Sequence, residues 1–347
     1  MQYGIGIIGC GMISRFHARA ISEIDNLRLV GCVSHSTESA QKLAEEANCK
    51  CYHSVDELVQ DPDIHIIAIC TPSGSHLEPA LAAIDAGKHL LIEKPLEVTP
   101  ARCDQLIQAA QEKGVLVATV FQSRFHPASQ ELKQAVDQQR FGNLTMGDAY
   151  VKWYRSQEYY DSGAWRGTWA LDGGGALMNQ AIHSVDLLLW FMGPVVEVRA
   201  HAGTLAHERI EVEDVAVASL RFANGAFGTI EATTAAFPGM LKRIEIHGTQ
   251  GSVILEEEDI RFWKFAEETE QDDVIRDKFA AQTQTGGGAG DPAAIGHHGH
   301  RAQIQNLIQS IENGTPLVID GQEGKRSVEL ICAIYEAAKT GATVTLS

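Results

Sequence analysis

Two pairs of side chains in this sequence are candidates for proton-transfer chemistry. Glu93 and Lys94 follow the apolar run 89–92, and a charged pair at the end of a buried strand is costly unless it is paired or faces a cleft. Asn179 and His183 are four residues apart in a stretch of helical character, so they project from one helix face. An imidazole can take a proton from a hydroxyl, an ammonium can polarise a forming carbonyl oxygen, and an amide can orient a hydroxyl. The alternatives are a surface salt bridge and a hydrogen-bonded core histidine.

The elements that position these side chains begin at the start of the chain. Residues 3–8 form an apolar, β-branched run, Gly9 and Gly11 permit a tight turn, and apolar residues then recur at helical spacing. Free N–H groups and the dipole of such a helix attract a pyrophosphate. The pattern is the dinucleotide fingerprint with Ser14 at the third glycine. We therefore expect Gly9, Gly11, Met12 and Ile13 to bind a dinucleotide; the alternative is a structural turn without a ligand.

Strands and helices then alternate as far as residue 122. Further apolar strands are predicted at 27–33, 64–70, 89–92 and 115–120, with helices between them. This alternation predicts an α/β fold with a doubly wound parallel sheet, which is a Rossmann domain over residues 1–122.

Loops at the carboxyl ends of these strands are the expected ligand-binding positions. After the second strand stand Ser34, His35 and Ser36, and residues 34–37 include no acidic side chain to bind the ribose of NAD. Small hydroxyls and an imidazole can accept a 2′-phosphate, which favours NADP, or both cofactors; the alternative is that these residues only start a helix. Thr71, Pro72 and His76 follow a later strand and are also expected at the cofactor.

Beyond residue 122 the hydrophobic pattern changes. Segments near 144–153, 195–205, 214–222, 226–235, 241–247 and 252–264 alternate apolar and polar residues. They predict a mainly antiparallel open sheet in an α+β domain over residues 123–347. We expect its uncovered face to be a subunit interface. The polar, then glycine-rich region 267–290 is expected to be a mobile loop.

Composition excludes several classes of partner. A net charge of −17 argues against nucleic acid and anionic membranes, because both bind through excess lysine and arginine. No run approaches the ~18 apolar residues of a membrane span, and a strand starts close to Met1, so we expect a cytoplasmic protein without a leader. The seven cysteines form no C-x-x-C pair and are expected to be reduced. No metal site is predicted at His297, His298 and His300, because adjacent histidines point apart.

Several motifs occur together in a specific order. They are Gly9-x-Gly11 with His17, Thr71-Pro72 followed by His76, Gly87-Lys88-His89, and Glu93-Lys94-Pro95. The combination resembles the glucose-fructose oxidoreductase, inositol dehydrogenase and MocA family of NAD(P)-dependent oxidoreductases. The resemblance implies reversible hydride transfer between a nicotinamide and a secondary hydroxyl of a sugar, cyclitol or nucleotide-sugar. It also implies a homodimer or homotetramer built on the open sheet.

The resemblance further implies roles for individual residues of the first domain and the boundary. Lys94 is expected to reach both the nicotinamide ribose and the substrate hydroxyl. We expect Glu93 at the cofactor beside it, fixing Lys94. Pro95 is expected to follow a cis peptide bond. Gln122 is expected to meet the nicotinamide edge, and Arg124 is expected to enter the substrate pocket.

An aromatic and basic cluster over residues 153–166 is suited to a sugar face or a sugar phosphate. Within it we expect Trp165 and Arg166 to contact the cofactor and Tyr154 to contact the substrate. The alternative is that the cluster is interface core.

One position departs from the family pattern. His183 is retained, but Asn179 stands where many members have aspartate, and an amide cannot anchor an imidazolium by charge. This is more similar to members that oxidise other pyranoses or nucleotide-linked sugars than to inositol dehydrogenase. Other relatives are implied to be NAD-dependent glycosidases or non-catalytic dinucleotide-sensing regulators. Lys94 and His183 argue against a sensor, because a binding module needs no proton-transfer pair.

Overall fold

The structure is a computed structural model, and it describes residues 2–280 and 296–346. The chain divides into two compact units. The first unit comprises Met1–Gln122 and Gly296–Val328, and the second comprises Ser123–Ile295 and Glu329–Ser347. The helices of the described residues are α1 Met12–Ser22, α2 Thr37–Ala47, α3 Val55–Val59, α4 Leu77–Asp85, α5 Pro100–Lys113, α6 Pro127–Asp137, α7 Gln157–Asp161, α8 Ile182–Met192, α9 Glu270–Lys278, α10 His298–Asn313 and α11 Gly321–Thr340.

A parallel sheet forms the centre of the first unit. Its strands are β1 Tyr3–Ile8, β2 Leu27–Val33, β3 Lys50–Cys51, β4 Ile66–Ile69, β5 His89–Ile92 and β6 Val117–Thr119. Their order is β3-β2-β1-β4-β5-β6, and β1 pairs in parallel with both β2 and β4. The predicted doubly wound Rossmann sheet is therefore confirmed. The strand order reverses beside β1, which is the position where such sheets bind ligands.

The helices of this unit start and end at residues that the sequence marks clearly. The side chains of Ser36, Ser54 and Thr99 cap α2, α3 and α5 by accepting backbone N–H groups of the following turn. Pro100 occupies the first turn of α5, and Gly114 ends that helix in the left-handed conformation. Local sequence signals therefore determine these boundaries.

Residues 296–328 lie in the first unit, whereas the sequence assigned them to the second domain. The reason is the apolar face of α10, where Ile304, Leu307 and Ile308 join a core cluster that includes Ile5. In addition, the backbone N–H of Phe121 donates to the side chain of Gln303 over 3.1 Å. These contacts join segments far apart in the chain, so local periodicity could not reveal them.

The second unit contains a larger sheet. Its strands are β7 Leu144–Lys152, β8 Val195–Gly203, β9 Val215–Phe222, β10 Phe227–Thr233, β11 Arg243–Gly248, β12 Gly251–Glu256, β13 Asp259–Phe265 and β14 Val344–Thr345. The order is β13-β12-β11-β7-β10-β9-β8-β14. Only the β7–β10 pair among these strands is parallel, so the predicted mainly antiparallel sheet is confirmed.

The two faces of this sheet differ in burial. Along β9 and β10 every second residue is buried, and α8 packs against β7 and β11. On the strands the exposed apolar side chains include Met146, Val217 and Phe227, the last of which is 61% exposed. Across residues 2–280 and 296–346, no helix has the length and apolarity needed to cross a membrane.

The predicted loop at 267–290 is wrong in its first part. Residues 270–278 form α9, which begins with a capping box between Thr269 and Asp272. Asp272 is buried, accepts a 2.6 Å hydrogen bond from Trp263 Nε1 and pairs with Arg140, so the helix is fixed to the sheet. The glycine-rich stretch 285–288 lies outside the described residues.

Candidate functional site

The turn between β1 and α1 has the geometry of a pyrophosphate cradle. Gly9 has φ +95°, and a Cβ there would come within 2.7 Å of the Cys70 backbone. Gly11 begins α1 without a side chain to cap it, and a Cβ there would meet nothing within 4 Å. In the described part of the chain no side chain caps the first turn of α1, where Met12 is exposed and Ile13 is half-buried. Uncapped amides at the positive end of a helix are suited to an anionic ligand.

In the loop after β2, one of the predicted cofactor-binding residues caps a helix and the other two do not. Ser36 accepts a 3.2 Å hydrogen bond from the Ser39 N–H, so this hydroxyl caps α2. Ser34 is half-buried and His35 is exposed. Ribose binding by Ser34 and His35 stays a prediction, while Ser36 has the helix-start role that was the alternative.

His76 has a structural environment. The ring is buried, Nδ1 lies 3.0 Å from the Pro95 carbonyl oxygen, and Nε2 lies 3.0 Å from the Thr71 carbonyl oxygen. The imidazole therefore bridges the loop after β4, where Thr71 and Pro72 stand, to the segment after β5. Both ring nitrogens are thus engaged by backbone carbonyls, and a direct contact of His76 with the cofactor stays a prediction.

Glu93 and Lys94 follow β5 as expected, and the surface salt-bridge alternative is wrong for Glu93. Its carboxylate is buried and lies 2.7 Å from His17 Nε2 and 3.7 Å from His300 Nε2. It also accepts the Lys94 backbone N–H over 3.3 Å. Lys94 is half-buried, and its bond to Pro95 is cis, as the resemblance implied.

Electrostatics make the His17–Glu93 contact an ion pair. Burial acts to lower the pKa of His17, but its contacts with Cys70 and Glu93 outweigh burial and raise this pKa. Burial acts to raise the pKa of Glu93, but His17 above all lowers it below its usual range. Glu93 is therefore a charged, anchored carboxylate that holds the backbone of Lys94.

Gln122 is the other first-unit residue expected at the nicotinamide. It is buried at the start of a short 3₁₀ turn, Gln122–Phe125, and its Oε1 has no hydrogen-bond partner among the described residues. A buried amide oxygen without a partner is costly. A ligand that donates a hydrogen bond here, as a carboxamide does, would remove that cost.

In the second unit, Asn179 and His183 lie on a helix that starts as a π-helical segment, Ala176–Ala181, and continues as α8. They are the half-buried residues of the otherwise buried stretch 176–189, so they share the face that the sequence predicted. Isolated π-helical turns are frequent at functional sites.

A polar network surrounds Asn179. Its amide nitrogen donates to the Asp172 carboxylate, and its oxygen accepts from Gln180 Nε2 over 2.9 Å. Gln180 in turn accepts a 2.8 Å hydrogen bond from Arg155. Asp172 is buried and is held by the Gly167 N–H over 2.8 Å. The carboxylate that residue 179 lacks is therefore supplied next to it by Asp172.

The sequence did not connect Asp172, Gln180 and Arg155 with Asn179, although Arg155 belongs to the predicted aromatic and basic cluster at 153–166. Asp172 directly precedes the glycine run 173–175, and Gln180 adjoins Asn179, which were the available signals. Neither signal shows direction, because the π-helical turn decides where the side chains of Asn179 and Gln180 point.

The residues predicted at 154–166 separate into two groups. Arg166 donates a 2.7 Å hydrogen bond to the Tyr159 hydroxyl and lies 4.5 Å above the Trp165 ring, and Gln180 also donates to Tyr159 over 3.0 Å. Trp165 and Arg166 thus connect to the network of Asn179. Tyr154 instead packs edge-to-face on Phe237, with ring centroids 5.2 Å apart.

The expected role of Arg124 in the substrate pocket is corrected by its surroundings. Its side chain is 1% exposed, and its guanidinium donates two hydrogen bonds, of 2.9 and 2.7 Å, to Asp186 on α8. A buried bidentate pair of this kind fixes one element of a unit to another. Arg124 therefore anchors the helix that carries His183.

The histidines near the end of the chain also differ from expectation. The rings of His297 and His298 lie 4.7 Å apart and both lie near Glu23, so they do not point apart. Glu23 is already paired with His297 over 2.7 Å and with Arg301 over 3.0 Å. These two contacts pair the Glu23 carboxylate with groups at the start of α10, and the absence of a metal here stays a prediction. His300 belongs instead to the buried group around Glu93.

Two family models match the chain over most of its length. One, described as an oxidoreductase family with an NAD-binding Rossmann fold, matches residues 3–121. The other, described as the GFO/IDH/MocA C-terminal domain, matches residues 129–254.

Individual proteins are also similar to the chain. The crystal structure of the WlbA dehydrogenase from Bordetella pertussis in complex with NADH and UDP-GlcNAcA has 35% identity and a TM-score of 0.91, and covers 100% of this chain and 98% of that chain. The myo-inositol 2-dehydrogenase of Thermotoga maritima is 27% identical over 356 residues, which are 99% of this chain and 98% of the relative. The UDP-N-acetylglucosamine 3-dehydrogenase of Acidithiobacillus ferrooxidans is 38% identical over 130 residues, which are 38% of this chain and 40% of the relative.

Proposed function

Because the chain belongs to the GFO/IDH/MocA family of NAD-binding oxidoreductases, we propose that it oxidises a secondary ring hydroxyl of a UDP-linked N-acetylated sugar acid. One observation carries the choice of substrate: the 35% identity, over nearly the full length of both chains, to the WlbA dehydrogenase whose crystal structure contains NADH and UDP-GlcNAcA. The polar network of Asp172, Asn179 and Gln180 supports it, because hydroxyl-rich ligands need convergent hydrogen-bonding groups.

The first unit has the features that a bound dinucleotide requires. The open α1 N-terminus at Gly11 would hold the pyrophosphate, and the buried Gln122 oxygen would accept from the carboxamide. When bound, the nicotinamide supplies the acceptor for the hydride. Lys94, held through its backbone by Glu93, would bind the ribose and the substrate oxygen.

In the proposed reaction His183 and Lys94 have different roles toward the substrate hydroxyl. As the C–H bond gives up its hydride, the O–H proton passes to the imidazole of His183. The ammonium of Lys94 stabilises the negative charge that develops on the same oxygen. Asn179, held by Asp172, would orient a neighbouring hydroxyl.

We propose NAD as the cofactor in preference to NADP. The observation that supports this choice is that the WlbA structure, to which the chain is 35% identical, contains NADH. A fluorescence titration of the chain with NADH and NADPH tests this proposal. Tighter binding of NADPH would restore the preference that the sequence favoured.

We also propose that the exposed face of the eight-stranded sheet joins copies of this chain. Phe227 and Val217 expose apolar side chains on this face, and a second copy of the chain would remove them from water. Light scattering should show an oligomer for the wild type and a smaller species for Phe227→Asp. A monomeric wild type would contradict this proposal.

The activity is tested by following reduced nicotinamide during incubation of the chain with NAD and a substrate panel. The panel is UDP-GlcNAcA, UDP-GlcNAc and myo-inositol, and we expect the highest kcat/KM for UDP-GlcNAcA. Lys94→Ala and His183→Ala should each lower kcat by at least ~100-fold. The matched controls Lys113→Ala and His53→Ala replace exposed residues and should behave as wild type.

Other outcomes identify the rival functions. Full turnover by Lys94→Ala with intact cofactor binding would contradict the assignment of Lys94. A cleaved glycoside without accumulating reduced nicotinamide would indicate an NAD-dependent glycosidase. Nucleotide binding without turnover of any sugar, together with capture of a partner protein, would indicate a sensor.

A further inference from the structure

The start of the helix that carries Asn179 and His183 is held by two residues from distant parts of the second unit. A helix leaves its first N–H groups without partners inside the helix. Here Gly175, the residue before the π-helical segment, has no side chain to cap them. The caps come instead from Glu213, just before β9, and from Tyr335 on α11.

Four consecutive amides are bound in this way. The N–H groups of Gly175 and Leu177 donate to the two carboxyl oxygens of Glu213 over 3.0 and 2.8 Å, and the N–H of Ala176 donates to the Glu213 backbone oxygen over 3.1 Å. The N–H of Met178 donates to the Tyr335 hydroxyl over 3.3 Å. From the next residue, Asn179, the helix supplies its own acceptor, the Gly175 oxygen.

Glu213 and Tyr335 also bind one another. The Tyr335 hydroxyl donates to Glu213 Oε1 over 3.0 Å, and the Glu213 side chain is only 4% exposed. The two groups and the four amides therefore form one closed set, which leaves the helix start little freedom to shift.

The glycines before the helix make this close approach possible. A Cβ at Gly174 would lie 2.1 Å from the Tyr335 hydroxyl, and a Cβ at Gly175 would lie 1.8 Å from the Glu213 backbone oxygen. Neither contact can be relieved without moving the helix start or its caps. The glycine run that the sequence showed therefore serves the capping geometry.

We propose that Glu213 and Tyr335 are positioning residues for the proposed reaction, and that they fix the register of the π-helical turn so that Asn179 and His183 keep their catalytic placement. This inference rests on the proposed function. Asn179 is one residue beyond the last capped amide, and His183 is one turn further on. A shift of the helix start is therefore passed directly to both side chains.

The test combines kinetics with amide hydrogen exchange on Glu213→Gln and Tyr335→Phe in the full-length chain. Glutamine keeps one acceptor oxygen but cannot accept all of the bonds, and phenylalanine removes only the hydroxyl. We expect Glu213→Gln to lower kcat with UDP-GlcNAcA by about 10- to 100-fold, and Tyr335→Phe to lower it less, because small misplacements of reacting groups cost this much. The KM for NAD and the binding of NADH should stay within about twofold of wild type, because the nucleotide cradle lies in the other unit.

Hydrogen exchange gives a readout that needs no activity. Exchange in a peptide covering residues 173–183 should be faster in both variants, and exchange in β1 and α1 should be unchanged. Glu208→Gln, at an exposed carboxylate five residues away, is the matched control and should equal wild type in both measurements.

The two proposals fail in different ways. Wild-type kcat in Glu213→Gln, or unchanged exchange at 173–183, would overturn the positioning role while leaving the dehydrogenase proposal intact. A wild-type chain that turns over no sugar would overturn the proposed function, and the exchange measurement would still decide whether these residues hold the helix start. If Glu213→Gln does not fold, Tyr335→Phe carries the same test.

Discussion

Replacing Glu213 by glutamine should change how the stability of the chain depends on pH. Burial raises the pKa of Glu213 from its ordinary value of 4.5 to about 7, and the backbone N–H donors only partly oppose this rise. Between these two values the folded chain keeps a proton on this carboxyl that the unfolded chain has released. The contribution of Glu213 to folding is therefore greatest below the unfolded pKa and is lost as pH rises through about 7.

The titratable groups next to Glu213 do not contribute to this pH dependence of stability. Tyr335 and Tyr160 face it, and burial raises the pKa of each tyrosine hydroxyl well above neutrality. The adjacent Asp214 is held ionised, because N–H groups of residues 205–207 and the His207 ring together lower its pKa against the opposing effect of burial. None of these three groups changes charge between pH 4.5 and 7.

The size of the effect follows from the shift. The interval from 4.5 to about 7 corresponds to about 3 kcal/mol at ~1.4 kcal/mol per unit, and a carboxyl buried this deeply is little screened by water. Urea unfolding of wild type and Glu213→Gln at several pH values measures it. The free energy of unfolding of wild type, relative to the variant, should fall by about 3 kcal/mol from ~pH 4.5 to ~pH 8.

The control for this comparison is Glu208→Gln, which should follow wild type at every pH because its carboxylate is exposed. A wild-type advantage over Glu213→Gln that is independent of pH, or that grows as pH rises, would refute the linkage. It would mean that the N–H donors, and not burial, dominate the electrostatics at the helix start.

Three other predictions follow from single contacts. Arg124→Met should lower the free energy of unfolding by about 3–5 kcal/mol, because Asp186 is left charged and buried, and Arg124→Met/Asp186→Leu should recover most of this loss in urea unfolding. Gly9→Ala should weaken NADH binding by at least ~10-fold in a fluorescence titration, because φ +95° and the Cys70 backbone exclude a methyl group; wild-type affinity would contradict the cradle. His17→Gln removes the positive charge paired with Glu93 and leaves Lys94 itself unchanged, and we expect kcat to fall because Glu93 would no longer hold Lys94 in place. An unchanged kcat would show that Glu93 does not position Lys94.

The architecture was predictable where local signals and the fold agree. The β-branched run before Gly9 and the helical spacing after Met12 describe β1 and α1, and period-two alternation describes β9 and β10. The error at α9 came from composition, because its polar residues resemble a loop while Asp272 is buried and bonded. The sequence could not show that residues 296–328 belong to the first unit, because this depends on contacts between segments that are distant in the chain.

The sequence indicates which residue types belong to the candidate site, but it says less about where their side chains point. Lys94 follows a predicted strand and His183 lies on a predicted helix face, and sequence spacing is enough to recognise both positions. Arg124 has the same sequence signal as a pocket residue, but Asp186 lies 62 positions away and the sequence gives no sign of the pairing. Asp172 was likewise hidden, because a π-helical turn brings Asn179 to it.

The central claim is that this chain moves a hydride from a UDP-linked sugar acid to NAD. A single-turnover experiment tests it most directly, with enzyme in excess over UDP-GlcNAcA and NAD present at saturation. We expect one reduced nicotinamide for each sugar consumed and a sugar product that has lost two hydrogen atoms, with both formed at least ~100-fold more slowly by His183→Ala. An intact sugar and no reduced nicotinamide, from wild-type chain that binds NADH, would contradict it.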